Sequence, residues 1–132
     1  MDKDATLVSA GAVDVAMSYR SDIPGDSGLT IQIYAEVDGQ ETELLRFDCF
    51  TNAPHYHYAP GQDSGERVML DATAVGDPLA WTLECFERGR LRAMVERAGY
   101  AKVAAALDED AFQAALPAVG DKARALVAQH AS

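Results

Sequence analysis

The side chains best suited to chemistry are concentrated in one segment of this 132-residue chain, RFDCFTNAPHYHY, at residues 46–58. Within it, His55 and His57 are separated by a single residue, and Asp48 precedes them. Side chains at positions i and i+2 of a strand share a face, and imidazole suits several transition metals. We therefore predict a site for zinc, iron or manganese on these three side chains. Asp71 is the other candidate for the carboxylate ligand.

The same residues allow a metal-free interpretation. Asp48 could hold the ring of His57 in one tautomer for acid–base work, or it could form a cross-strand ion pair with Arg46. The histidines could also be ordinary strand residues beside aromatic packing. No nucleophile accompanies them, because strand alternation turns Cys49 to the opposite face as a small buried residue. On this interpretation the residues form a binding face without catalytic activity. The predicted binding face consists of Arg46, Asp48, His55, His57 and Tyr34.

Alternating apolar residues predict the strands that position this segment. They form an antiparallel sheet of about five strands, over residues 12–20, 29–37, 43–50, 55–58 and 67–71. Asp38-Gly39 marks the turn before the third strand. A two-residue turn would place the charge of Arg46 on the isoleucine face, which is costly. We therefore predict a loop of odd length, which instead puts three apolar side chains on that face: Leu45, Phe47 and Cys49.

A tight reversal is predicted after the third strand, at Asn52 and Ala53. It would set Asp48 directly opposite His57, with His55 on the same face. The candidate metal ligands would then converge on the side of the sheet that faces away from the core.

The period of the apolar residues changes near residue 75, and residues 77–130 have the pattern of helices. Asp77-Pro78 is typical of a capped helix start, whereas the pattern leaves open whether Gly89 interrupts this helix. Further helices are predicted at residues 101–107, 109–116 and 118–129, with Pro117 between the last two. Strands followed by helices predict a single α+β domain over residues 1–132. In it, the antiparallel sheet of residues 12–71 packs against three to four helices of residues 77–130.

The charge is uneven: residues 1–75 hold 13 acidic and 4 basic side chains, and the whole chain has a net charge of −10. Binding to nucleic acid or to an anionic membrane requires a basic face, so we expect neither partner. The only basic cluster has interleaved glutamates, as on a solvated helix face: Arg88, Arg90, Arg92 and Arg97. Cys49 and Cys85 match no disulfide framework or zinc ribbon. With no apolar run long enough for a membrane helix, a cytoplasmic protein is expected.

Several short segments resemble a family of short bacterial proteins without an assigned function: RFDCF, PHYHY, GDPLAWTL and ERAGY. More distantly, the EVDG hairpin and the NAPH segment that follows are similar to the TumE-type toxins. That resemblance implies an enzyme acting on RNA, with Asn52, Ala53, Pro54 and His55 at the matching positions. The chain departs from the pattern because it lacks the later basic, histidine-rich segment and carries a long helical tail.

Two functional hypotheses follow. The favoured one is a binding or accessory module that self-associates as a homo-oligomer or binds a protein partner through the face defined above. The alternative is a metal-assisted hydrolase, or a ribonuclease-like enzyme of the TumE type, that uses Asp48, His55 and His57. The negative charge around these residues favours a cation or a basic partner.

Overall fold

The protein, a computed structural model that describes residues 1–130, has six antiparallel strands followed by five helices. The strands are β1 (Thr6–Ala10), β2 (Val13–Ile23), β3 (Asp26–Val37), β4 (Gln40–Phe50), β5 (His55–Tyr58) and β6 (Glu66–Met69). The helices are α1 (Ala72–Val75), α2 (Pro78–Glu87), α3 (Leu91–Arg97), α4 (Ala101–Ala106) and α5 (Glu109–His130). The predicted α+β class is confirmed, and β1 and α1 are additions to it.

All six strands lie in one sheet in sequence order, so each pairs with its neighbours in the chain. The helices pack against one face, where the alternating apolar residues of β2, β3 and β4 enter the core. Phe47 of β4 meets Phe86 of α2 edge-on at 5.2 Å between ring centroids, and Phe86 meets Phe112 of α5 at 5.6 Å. These three buried phenylalanines join the sheet to α2 and α5 through aromatic contacts in the core.

From Leu45 onward, β4 pairs with β3 as predicted, but the turn between the two strands does not have the predicted length. Val37 pairs with Gln40 across the two-residue turn Asp38-Gly39, in which both residues have positive φ, as a type I′ turn requires. The predicted odd-length loop is therefore wrong. The extra residue lies in the strand instead, because the register shifts between the pairs Ile33–Leu45 and Tyr34–Glu43. This β-bulge leaves Leu44 unpaired and buried in the core, not on the polar face where strict alternation would put it.

The β4–β5 connection is longer than the predicted reversal at Asn52 and Ala53. Four residues, Thr51 to Pro54, separate the two strands, so Asp48 pairs with His55 and not with His57, which lies opposite Arg46. The predicted register was wrong by two residues. Because two is the repeat of a strand, the shift leaves every side chain on its predicted face.

Local sequence signals set the start and the end of α2, whereas the proline at position 117 does not end a helix. Asp77 accepts a hydrogen bond from the Leu79 amide at 3.0 Å and begins α2, and Gly89, with φ of 72°, separates α2 from α3. The predicted break at Pro117 is wrong, since α5 runs through it. An interior proline removes one backbone hydrogen bond. The helix continues because its buried face is uninterrupted across the proline, at Phe112, Leu116, Val119 and Ala123.

Candidate metal centre

Asp48, His55 and His57 converge on the polar face of the sheet, away from the helices. Their potential ligand atoms all lie within 4.8 Å of one another. The Oδ2 atom of Asp48 is 2.9 Å from Nε2 of His55, directly across the strand pair, and 3.3 Å from Nε2 of His57. The convergence predicted from the sequence is therefore present.

The hydrogen bond made by the second ring nitrogen of His55 determines the nature of the contact between His55 and Asp48. His55 Nδ1 lies 2.9 Å from the carbonyl oxygen of Ala53, and a carbonyl can only accept a hydrogen bond. Nδ1 therefore carries the proton, and in neutral His55 the Nε2 atom presents a lone pair to the Asp48 carboxylate. Two lone pairs facing each other at 2.9 Å repel, so a cation, either a proton or a metal ion, has to bind between them.

Asp48 is held in place from the opposite side. Its Oδ1 atom accepts a hydrogen bond of 2.8 Å from the hydroxyl of Thr30 on β3. Both residues are almost fully buried, at 4% and 2% exposure. Metal-binding carboxylates are typically oriented by a hydrogen bond of this kind, which leaves the Oδ2 atom of Asp48 free to face the two imidazoles.

The two histidines are more accessible than the carboxylate. The exposed fraction of the side chain is 14% for His55 and 23% for His57. Burial lowers the pKa of His57 against the opposing effect of the Asp48 carboxylate. This shift favours the neutral imidazole, which is the form that binds a metal ion.

The loop that carries Ala53 is fixed by an aspartate from a different hairpin. Asp26, at the start of β3, accepts hydrogen bonds from the backbone amides of Asn52 at 2.9 Å and Ala53 at 2.8 Å. The side chain of Asn52 in turn donates to the carbonyl oxygen of Gly25 at 2.8 Å. Asp26 thereby determines where the Ala53 carbonyl lies, and with it the orientation of the His55 ring.

Arg46 and Tyr34 belong to a neighbouring network on the same face. Arg46 donates two hydrogen bonds to Glu43, at 2.9 and 2.7 Å, and these bonds raise the pKa of the guanidinium. Gln32 joins Glu43 to the Tyr34 hydroxyl through contacts of 2.6 and 3.1 Å. The ion pair anticipated between Arg46 and Asp48 is wrong, because Arg46 pairs with Glu43 while Asp48 faces the two histidines.

The other candidates from the sequence lie outside the site. Asp71 caps α1 by accepting from the amides of Thr73 and Ala74, so it is not the third ligand. Cys49 is a buried core residue, as predicted, and burial raises its pKa to about 12. Two arginines of the basic cluster form surface ion pairs, Arg88 with Glu84 and Arg97 with Glu66, as expected of a solvated face.

A family model described as "Domain of unknown function (DUF7700)" matches residues 7–123. The chain belongs to this family. The DUF7700 match spans strands β2 to β6, most of β1 and all of the residues that form the candidate metal centre. Neither a curated protein nor a solved structure matches the chain. Within residues 1–130 of this DUF7700 protein, no helix is both long and apolar enough to cross a membrane.

Sequence reasoning missed the residues that support the metal centre of this DUF7700 domain. Thr30 lies directly opposite Asp48 in the register of β3 and β4, but its residue type alone does not indicate the hydrogen bond that it donates to Asp48. The role of Asp26 had a partial signal, since an aspartate in a Pro-Gly-Asp-Ser turn commonly accepts from nearby backbone amides. That the amides belong to a loop 26 residues away could not be read from the turn alone.

Proposed function

We propose that this protein binds a divalent transition metal ion, zinc, iron or manganese, through Asp48, His55 and His57. The observation that carries the proposal is the pairing of His55 Nδ1 with the Ala53 carbonyl, which presents the lone pair of Nε2 to the Asp48 carboxylate. A histidine that binds a metal through one nitrogen usually donates from the other to a carbonyl or a carboxylate.

The spacing of the ligand atoms supports a metal ion at this place. Two ligand atoms about 2.1 Å from a tetrahedral zinc ion lie roughly 3.4 Å apart. The observed separations of 2.9 and 3.3 Å from Asp48 Oδ2 to the two Nε2 atoms are close to this value. The three candidate ligand atoms all lie within 4.8 Å of one another.

Three protein ligands leave coordination positions for water or for a bound ligand, as in catalytic metal sites. The partial exposure of His55 and His57 means that these positions face solvent. The proposed metal ion therefore acts as a Lewis acid or as an anchor for an exchangeable ligand. Two neutral imidazoles with one carboxylate suit zinc and iron(II) well.

The test compares two histidine variants in calorimetric titrations of metal-stripped protein with zinc and with manganese, and with iron(II) under anaerobic conditions. His57→Ala removes a partly exposed ligand without opening the core, so the fold should persist. We expect at least tenfold weaker binding, as the loss of a ligand or its support typically causes. The matched control is His130→Ala, which removes an exposed histidine stacked on Tyr19 at the end of α5. It should bind as the unmodified protein does.

Thermal unfolding gives a second readout. A metal ion present at 100 times its dissociation constant stabilises the native state by about 2.7 kcal/mol. The unfolding temperature of the unmodified protein should rise on adding metal. With at least tenfold weaker binding, His57→Ala should gain no more than about 1.4 kcal/mol at the same metal concentration, so its unfolding temperature should rise clearly less. If no metal binds and no thermal shift occurs with any of the three ions, the proposed function is wrong.

A further inference from the structure

Beside the candidate metal centre lies a depression of about 210 Å³, with His57 on its wall. Its other wall is the β5–β6 loop together with Arg67 at the start of β6. His57 and Arg67 are directly paired across β5 and β6, so their side chains emerge on the same face of the sheet. One cavity is thus shared by a proposed metal ligand and an arginine.

Arg67 differs from the other arginines near the site. It is exposed, and within residues 1–130 it has neither an ion pair nor a side-chain hydrogen bond. Arg46, on the other side of His57, forms an ion pair with Glu43 through two hydrogen bonds. The only carboxylate lining the depression is Glu66, which pairs with Arg97 at 3.4 Å. Within residues 1–130, the charge at the depression that has no ion-pair partner is therefore the guanidinium of Arg67.

The loop that forms the wall is shaped in advance of any ligand. Ala59 adopts a left-handed conformation with φ of 48°, which is unfavourable for a residue with a Cβ atom. Its amide donates to the Leu44 carbonyl at 2.9 Å, and the Gly65 amide donates to the Gln62 carbonyl at 2.9 Å. A Cβ atom at Gly65 would lie 2.6 Å from the Ala59 carbonyl oxygen. Local strain kept in a tightly bonded loop is common where a ligand binds.

We propose that the depression binds a small oxyanion, a phosphate or carboxylate group, which is held by the metal ion and by the guanidinium of Arg67. This inference rests on the proposed function, because the metal ion supplies one of the two positive partners. Arginine presents paired N–H donors that match the oxygen atoms of both groups. An open coordination position on the metal accepts a further oxygen atom of the same anion.

The test uses cobalt(II) as a spectroscopic substitute for the native metal ion. Its visible absorption reports metal binding, and the spectrum changes again when an anion enters the coordination sphere. Inorganic phosphate and acetate are titrated separately into cobalt-loaded protein, so the stronger response identifies the preferred class of oxyanion. We expect Arg67→Gln to bind cobalt as the unmodified protein does, but to bind the preferred anion roughly tenfold more weakly.

The matched control is Arg124→Gln, which removes the same charge from the exposed face of α5, where Arg124 pairs with Asp121. It should leave anion binding unchanged. If Arg124→Gln weakens anion binding as much as Arg67→Gln does, the effect is one of net charge and the oxyanion proposal is overturned.

Failure of the two proposals can be distinguished. Cobalt binding without any anion response, or with a response that does not depend on Arg67, overturns the oxyanion proposal and leaves the metal site intact. Absence of cobalt binding to the unmodified protein overturns both.

Discussion

Asp26 offers the sharpest test of how the candidate site is held together, because it acts on His55 only through the backbone. Its carboxylate accepts three amide hydrogen bonds, from Ser27 at 2.9 Å, Asn52 at 2.9 Å and Ala53 at 2.8 Å. Each is worth roughly 0.5–1 kcal/mol, because the amides are exposed enough for water to replace the carboxylate. Asp26→Ala should therefore lower the free energy of unfolding by about 2 kcal/mol.

The matched control is Asp22→Ala on the same hairpin. The Asp22 side chain is 74% exposed and pairs with Arg20, so its loss should leave the free energy of unfolding nearly unchanged. Urea unfolding at pH 7 measures both variants. Hydrogen exchange provides a local readout, since the amides of Asn52 and Ala53 should exchange faster in Asp26→Ala. Equal destabilisation by the two variants would refute the argument that Asp26 fixes the loop.

The same residue makes a prediction about pH. Burial opposes ionisation of Asp26, but the hydrogen bonds from Asn52, Ala53 and Ser27 outweigh it and lower the pKa. A carboxyl group with a lowered pKa in the folded state stabilises the protein above its unfolded pKa of about 3.9. The stabilisation is lost as the pH falls through the lower, folded value. The difference between the unmodified protein and Asp26→Ala should therefore be complete at pH 7 and shrink below about pH 4.

Two further predictions concern buried groups. Thr30→Val keeps the shape of the side chain but removes the donor to Asp48. It should therefore lower the free energy of unfolding, measured in urea, by about 1–3 kcal/mol. Thr42→Val, at a hydroxyl that bonds only the Gln40 carbonyl, should cost less than about 0.5 kcal/mol, and an equal cost would contradict the role of Thr30. Cys49, with a pKa raised to about 12, should resist alkylation by iodoacetamide at pH 8 until the protein is unfolded. Mass spectrometry that found Cys49 labelled as fast as Cys85 in native protein would contradict this.

Apart from Leu44 at the bulge, the faces of the strands were predictable because side chains alternate along each regular stretch. The polar side of Arg46, Asp48, His55 and His57 follows from the period of two, and it survived errors in both neighbouring connections. Distances within the face were not predictable in the same way. Whether Asp48 meets His55 or His57 depends on the length of the loop between β4 and β5, and that length is set by bonds to Asp26 in another hairpin.

The helices illustrate the competition between local signals and packing. Asp77 and Pro78 set the start of α2, because a cap acts on its own helix. At Pro117 the local signal favoured a break, but burial of Leu116 and Val119 on either side holds α5 together. Strand β1 was missed because only one of its five residues is fully buried, which leaves a weak apolar pattern. The predicted self-association of the polar face stays a prediction.

The β-bulge at Leu44 has a consequence for how this chain tolerates insertions and deletions. The pairs on either side of it, Tyr34–Glu43 and Ile33–Leu45, are already consecutive in β3, so the additional residue lies outside the ladder. Deleting Leu44 while keeping the Asp38-Gly39 turn would join these pairs into one regular ladder, with Phe47 still on the core face and Asp48 on the polar face. The loss would be that of the buried Leu44 side chain. Leu44 is thus a position at which β4 can lose a residue without a change in which side chains beyond it face the helices.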